Sequence, residues 1–170
     1  MTVYLATPTV ADLSALTELQ RATFREAYMG AIADDDLNTY IDATFTGPQV
    51  LAELTDQQCH HRWLVGAMGP VGYCKSVIQP TGEKAGTVRV ELAQIYLRSS
   101  ARGRGLGRGL FDSVVRLSRS LGAIAIDLGV WEHNEAAIAV CRRWGFEVTD
   151  EQTFMLGEHR QRDLVMSRLV

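Results

Sequence analysis

Residues 102–109 read Arg102-Gly103-Arg104-Gly105-Leu106-Gly107-Arg108-Gly109. Upstream, Thr87–Leu97 alternates apolar and polar residues: Val88, Val90 and Leu92, then Ile95 and Leu97. That alternation predicts a strand, and its change of phase between Leu92 and Ile95 is what one inserted bulge residue produces. Downstream, Leu106, Leu110, Val114, Leu117 and Leu121 recur at steps of four, four, three and four. They predict an amphipathic helix ended by Gly122. Ile124–Val130 then reads as a second strand. A strand, helix and strand over Glu91–Val130 predict one parallel pair with a right-handed crossover.

The glycine-rich run therefore sits between a strand and a helix. A loop there can aim several backbone N–H groups at one anion, and the helix N-terminus adds partial positive charge. Glycines let the backbone approach closely, and arginines offer paired hydrogen bonds to phosphate oxygens. A P-loop needs Gly-Lys-Ser/Thr, and no lysine occurs here. A dinucleotide fingerprint needs Gly-x-Gly-x-x-Gly. Gly103 and Gly105 are followed by Arg108, and Gly105 and Gly107 by Leu110, so neither frame fits. Asp127 lies 20 residues after Gly107, where that fingerprint places its acidic residue, but the frame does not support it. RNA-binding Arg-Gly segments are repetitive, whereas this one is single. A bare turn would need one glycine; four glycines alternating with arginine point to an anion.

Outward again, Thr2–Ala6 reads as a first strand and Val10–Tyr28 as a helix with Asp12 in its first turn. Leu37, Tyr40, Ile41 and Phe45 predict a second helix. Gly47-Pro48 interrupts it, and Val50, Leu51 and Leu54 form a short third piece. Arg62–Met68 and Val71–Ile78 predict a hairpin turning at Gly69-Pro70. Pro80–Gly86 reads as a loop. Asn134–Trp144 is helical with Gly145 as its stop. Phe146–Leu156 and Arg162–Leu169 are the last strands, joined through Gly157. The hairpin requires antiparallel pairing, so the expectation is a mixed α/β sheet, mainly antiparallel, and not a doubly wound one.

The chain has 170 residues, enough for one domain spanning 1–170. Its 46% hydrophobic and 22% charged content is globular. No apolar run approaches a bilayer span, and the N-terminus lacks a secretory pattern, so a soluble, cytoplasmic protein is expected. Cys59, Cys74 and Cys141 are far apart and form no Cys-x-x-Cys pair, which argues against disulfides and zinc. His60-His61 has no companion at metal-ligand spacing and reads as a surface pair, so no metal is expected. Residues 1–85 carry five basic and ten acidic side chains, residues 86–170 twelve and ten. The net charge of −3 disfavours nucleic acid. The asymmetry suits an anionic ligand near the second half and a cationic one near the first.

Two signatures together carry a family resemblance. Arg102-x-x-Gly105-x-Gly107 is similar to the pyrophosphate loop Gln/Arg-x-x-Gly-x-Gly/Ala of the GNAT superfamily of acyl-CoA-dependent N-acyltransferases. Asn134-Glu135-Ala136-Ala137-Ile138 through Gly145-Phe146 is similar to that superfamily's second motif. Further stretches, among them Phe24-Arg25-Glu26-Ala27-Tyr28, Glu91–Tyr96, Leu128–Asn134 and Asp163–Met166, resemble its bacterial spermidine/spermine N-acetyltransferase branch.

The resemblance implies a sheet whose fourth and fifth strands splay apart around acetyl-CoA, the co-substrate. It implies backbone bonds from Ile95, Tyr96 and Leu97 to the pantetheine arm. Arg102, Gly103, Arg104, Gly105, Leu106, Gly107 and Arg108 would cradle the pyrophosphate, and Asn134 would bond the pantetheine or nearby backbone. The acceptor would be a small primary amine, with Glu26 and Tyr28 as contacts in a pocket shaped by the first helices. Homodimers follow from family analogy only.

Amide formation needs a polarised thioester carbonyl, a neutral amine and close approach of the two. Glu91, on the fourth strand, is the candidate base, directly or through water; it reads equally as a surface glutamate or an acceptor contact. Many family members place a tyrosine seven residues after the motif asparagine to protonate the departing thiolate. Here that position is Cys141, either a proton donor or a small core residue, with water or Tyr73 as substitutes. The Asp34–Asp36 run reads as a solvated helix start. Four functions stay open: transfer to a polyamine or other small amine; transfer to a peptide amine or aminated antibiotic; a CoA-binding module without catalysis; and a dinucleotide-binding oxidoreductase, which would bind a nicotinamide cofactor and ignore CoA.

Overall fold

The computed structural model describes residues 2–80, 87–156 and 159–170. The connection through Gly157 and all but the first residue of the loop expected at Pro80–Gly86 lie outside them. Pro80 itself ends a strand, opposite Val88.

Seven strands form one sheet: β1 Val3–Ala6, β2 Cys59–Gly66, β3 Gly69–Pro80, β4 Val88–Leu97, β5 Ala125–Trp131, β6 Glu147–Leu156 and β7 His159–Leu169. Their spatial order is β1-β2-β3-β4-β5-β7-β6, and β4–β5 is parallel while the other neighbours are antiparallel. This is the mixed, mainly antiparallel α/β architecture expected from the sequence. The crossover from β4 to β5 is α4, Leu106–Ser120, and α5, Glu135–Arg143, links β5 to β6.

Three helices separate β1 from β2. A 3₁₀ turn at Val10–Asp12 leads into α1, Leu13–Tyr28. Asp12 Oδ2 accepts hydrogen bonds from the Thr9 backbone N–H (2.8 Å) and hydroxyl (2.9 Å), which fixes the entry. Helix α2, Asp34–Thr44, opens on its three aspartates, where the helix dipole favours negative charge; Asp34 and Asp35 are exposed. Pro48 does not merely interrupt a helix: it sits in the first turn of α3, Gly47–Thr55, where its missing N–H costs nothing.

The sheet is covered on both faces. On the α4/α5 face, Val90, Leu92, Ile126, Leu128 and Met166 of the sheet join Leu110, Phe111 and Val114 of α4 in one buried cluster. Phe111 stacks on Trp144 with centroids 4.5 Å apart. Burying a side chain the size of Phe111 stabilises the fold by about 2–3 kcal/mol. On the other face, Leu16, Leu19, Trp63 and Tyr73 form one cluster, and Phe24, Leu37, Ile41 and Phe45 form a second.

The bulge appears where the change of phase places it. Gln94 faces Lys75 and Leu92 faces Ser76, which leaves Ala93 as the extra residue. The His60-His61 pair departs from expectation. It belongs to β2, and His61 is 3% exposed, beneath α3. Its Nε2 lies 3.4 Å from Glu53, whose other oxygen accepts from Lys75 Nζ at 2.8 Å. Glu53, Cys59 and His61 stand close enough to share an ion. The companion therefore comes from α3, which sequence spacing does not reveal.

Candidate active site

The site begins where two strands part. β4 and β5 pair only over Arg89–Glu91 and Ala125–Asp127. Beyond Glu91 and Asp127, β4 continues to Leu97 with β3 alone, and β5 continues to Trp131 with β7 alone. The segments 92–97 and 128–131 thus border a gap without a common ladder. Arg89 closes its vertex: Nε and one terminal nitrogen donate to the Asp127 carboxylate, both at 2.5 Å, and the terminal nitrogen also reaches Ser167 Oγ at 3.0 Å. Burial alone would raise the Asp127 carboxyl, but hydrogen bonds from Arg89 and Ser167 outweigh it and hold it below its ordinary value. Asp127 is thereby engaged within the sheet, which explains its spacing from the glycines without a dinucleotide.

The glycine-rich run lies at the open end of this gap. After a 3₁₀ turn at Ser99–Ala101, Gly103 and Gly105 have φ of 71° and 74°, and Gly105 is the N-cap of α4. Only glycine adopts that left-handed backbone readily, and nothing lies within 4 Å of where either Cβ would stand. The loop therefore borders open space, with the first-turn N–H groups of α4 beside it. Arg102 Nε donates to the Leu97 carbonyl at 3.0 Å and so ties the loop to the end of β4. Arg108 is paired with Asp112 at 2.7 Å and is well exposed. Asn134 caps α5, its Oδ1 accepting from Ala137 N at 3.2 Å.

Glu26 sits near the end of α1 and turns toward the same loop. Its carboxylate accepts from the Ser99 backbone N–H and faces Arg98 (3.7 Å) and Arg102 (3.9 Å). Tyr28, two residues on, goes elsewhere. Its ring packs on Phe24 (4.6 Å) and near Trp131 (6.2 Å). Burial raises the pKa of the Tyr28 and Tyr96 phenols. The two expected acceptor contacts are therefore split between the loop and an aromatic wall.

Val90 and Leu92 face α4, so Glu91 between them faces α1–α3, the side on which Tyr96 packs. Glu91 is half-buried at the vertex, and its Oε2 accepts from Gln79 Nε2 at 2.9 Å. Tyr73 is fully buried and donates to Gln94 Oε1 at 3.0 Å. Cys141 is buried in the α4/α5 core, and burial pushes its thiol up to about 11.

Sequence reasoning missed Asp163. It stands on β7 opposite Trp131 and Gln152, on the α1/α2 side of the gap. One carboxylate oxygen, Oδ1, is buried without a hydrogen-bond partner. In sequence, Asp163, Val165 and Ser167 alternate with Leu164 and Met166 and resemble a solvent face; only the helices folding over that side enclose it. A concavity of about 340 Å³ is lined by Ala31–Ala33, Trp131–His133 and Arg160–Arg162. At its rim Arg162 pairs with Glu132 and Glu151.

The sheet is thus parted at its parallel pair, with a glycine-rich loop at the mouth of the gap. Residues 13–146 match the sequence model of the acetyltransferase (GNAT) family. The chain belongs to that family and is an acetyltransferase by class. An uncharacterized N-acetyltransferase of Lactobacillus delbrueckii subsp. lactis is 28% identical over 158 residues, 92% of this chain and 91% of the relative. One of Mycobacterium tuberculosis is 28% identical over 160 residues, 92% and 97%. Among solved structures, the PaiA N-acetyltransferase of Thermoplasma acidophilum in complex with coenzyme A superposes with a TM-score of 0.82 at 18% identity, over all of both chains. Arabidopsis thaliana NAA60 in complex with a bisubstrate analogue gives 0.77 at 14% identity over 99% of each.

Proposed function

We propose that the protein transfers the acetyl group of acetyl-CoA to a small primary amine, directly, with both substrates bound together. The gap beyond Glu91 and Asp127 carries this reading, because it leaves one side of β4 without a strand partner beside an anion-binding loop. In this reading the backbone of Ile95, Tyr96 and Leu97 pairs with the pantetheine arm, as a further strand would. Arg102, Gly103, Arg104, Gly105, Leu106, Gly107 and Arg108 cradle the pyrophosphate, and Asn134 holds the start of α5 in place. A β4 backbone N–H polarises the thioester carbonyl.

The amine enters from the side of α1 and α2, where Tyr28 borders its path. Its proton passes to a carboxylate on that face, where the sequence singles out Glu91. Cys141 takes a packing role: a thiol raised to about 11 is a weaker acid than a free thiol near 8.5, so it gives a proton to a thiolate only uphill. The departing thiolate takes its proton from the nitrogen that displaced it.

A polyamine, a peptide amine and an aminated antibiotic are the acceptor classes to separate. The test is thiol release from acetyl-CoA against spermidine, spermine, aminoglycosides and short peptides. Release with spermidine or spermine alone supports a polyamine acceptor, and release with another amine replaces it. Calorimetric CoA binding without release from any amine overturns the enzymatic reading in favour of a non-catalytic CoA-binding module.

A further inference from the structure

We propose that Asp163 is the group that receives the acceptor's ammonium and takes its proton; this rests on the direct-transfer reading above. The gap is bordered on β5 by residues 128–131, and Gly129 is the second residue past the last parallel pair. Where a Gly129 side chain would stand, Gln152 Nε2 lies 2.7 Å and Asp163 Oδ2 3.6 Å from the Cβ position. Asp163 therefore leans over the strand that bounds the gap, on the side from which the amine comes. Glycine at 129 is what leaves room for the two side chains; an alanine would displace Gln152.

The surroundings of this carboxylate are those of an ammonium site. Tyr28 from α1, Tyr40 from α2, Trp131 from β5 and Gln152 from β6 stand around it. Its charge is felt by those two phenols, and both stay neutral well above pH 7, burial being the main cause of their raised values. Oδ1 is buried with no donor among the described residues. A buried oxygen left without a donor is destabilising. An incoming N⁺–H group supplies the missing donor, and aromatic faces beside it favour a cation. Burial also raises the Asp163 carboxyl above its ordinary value, which makes it a better proton acceptor. Glu91, by contrast, sits at the closed vertex and already accepts from Gln79.

The step balances without a further reagent. R–NH₃⁺ gives one proton to the Asp163 carboxylate and becomes R–NH₂. The nitrogen lone pair forms the C–N bond to the acetyl carbon, and the C–S bond breaks with its electron pair on sulfur. The second nitrogen proton goes to the thiolate, giving the amide and CoA thiol. Asp163 then returns its proton to water.

The experiment compares Asp163→Asn, Asp163→Glu and Glu91→Gln with the wild type. Each is measured for thiol release at pH 7 and pH 10, using the best amine of the panel, and for CoA affinity by calorimetry. Asp163→Asn is expected to bind CoA as the wild type does and to lose about 100-fold or more of kcat at pH 7. The loss should shrink at pH 10, where an amine of pKa about 10.4 is already partly neutral. Asp163→Glu should recover part of the rate, and Glu91→Gln should lose less of kcat at pH 7 than Asp163→Asn does. An active wild type with Asp163→Asn within about threefold of it at both pH values overturns the assignment of Asp163 but leaves the transferase. Loss with Glu91→Gln instead gives the proton to Glu91. A wild type that releases no thiol with any amine overturns both readings. An Asp163→Asn protein that has lost CoA binding as well marks a structural role and also overturns the proposal.

Discussion

Arg89 and Asp127 face each other across the only parallel pair among the described strands, joined by two hydrogen bonds of 2.5 Å at the point where the strands part. The pair fixes where pairing ends. Asp127→Asn is expected to destabilise the fold by about 1–2 kcal/mol, after allowance for the partial exposure of both side chains. Because the folded carboxyl lies below its unfolded value, the stabilisation is complete above the unfolded value of about 3.9 and is lost as pH falls through the folded one. Urea unfolding of wild type and variant from pH 7 down to pH 3 checks this: the two curves should converge in acid.

Gly105 caps α4 in a left-handed conformation. Gly105→Ala should weaken CoA binding by roughly tenfold, since forcing a side chain into that region costs about 1–2 kcal/mol. Gly105→Glu should abolish detectable binding, because it adds a carboxylate where the pyrophosphate would lie. Calorimetric titration with CoA reads both, and equal affinity for Gly105→Glu and wild type would remove the loop from the cofactor site.

Glu26 ties α1 to the loop through Ser99, Arg98 and Arg102. Glu26→Gln should raise the CoA dissociation constant by about threefold to tenfold, in line with the loss of one charge-assisted hydrogen bond. The amine KM should stay unchanged. A rise in amine KM with unaltered CoA affinity would instead return Glu26 to the acceptor.

Burial pushes the thiols of Cys59, Cys74 and Cys141 each up to about 11. They should react with a thiol reagent at pH 8 far more slowly in the folded protein than in urea. The sign for stability follows: the contribution is present below the unfolded value of about 8.5 and is lost as pH rises toward 11. Cys141→Ala should cost about 1 kcal/mol of stability and leave kcat within about threefold. A much larger loss of kcat would restore Cys141 as the proton donor.

The order and type of the elements, the bulge near Ala93 and the loop before α4 were legible in the chain itself. Each rests on local rules: alternation of two along a strand, the recurrence of leucines along α4, and glycines where φ turns positive. The separation of β4 from β5 was anticipated through the family resemblance. Its vertex at Glu91 and Asp127 was not, because it is set by the pairing of residues far apart in sequence.

Side-chain surroundings belong to the tertiary structure for the same reason. His61 reads as a surface residue until α3 brings Glu53 over it. Glu26 reads as an acceptor contact until the fold carries Ser99 and Arg102 to its carboxylate. Asp163 reads as the polar face of a half-exposed strand until α1 and α2 close over it. Periodicity states which face a residue takes. Whether that face meets water, a helix or a substrate is decided only when distant segments pack, because burial and partner, not residue type, set the chemistry of a carboxylate.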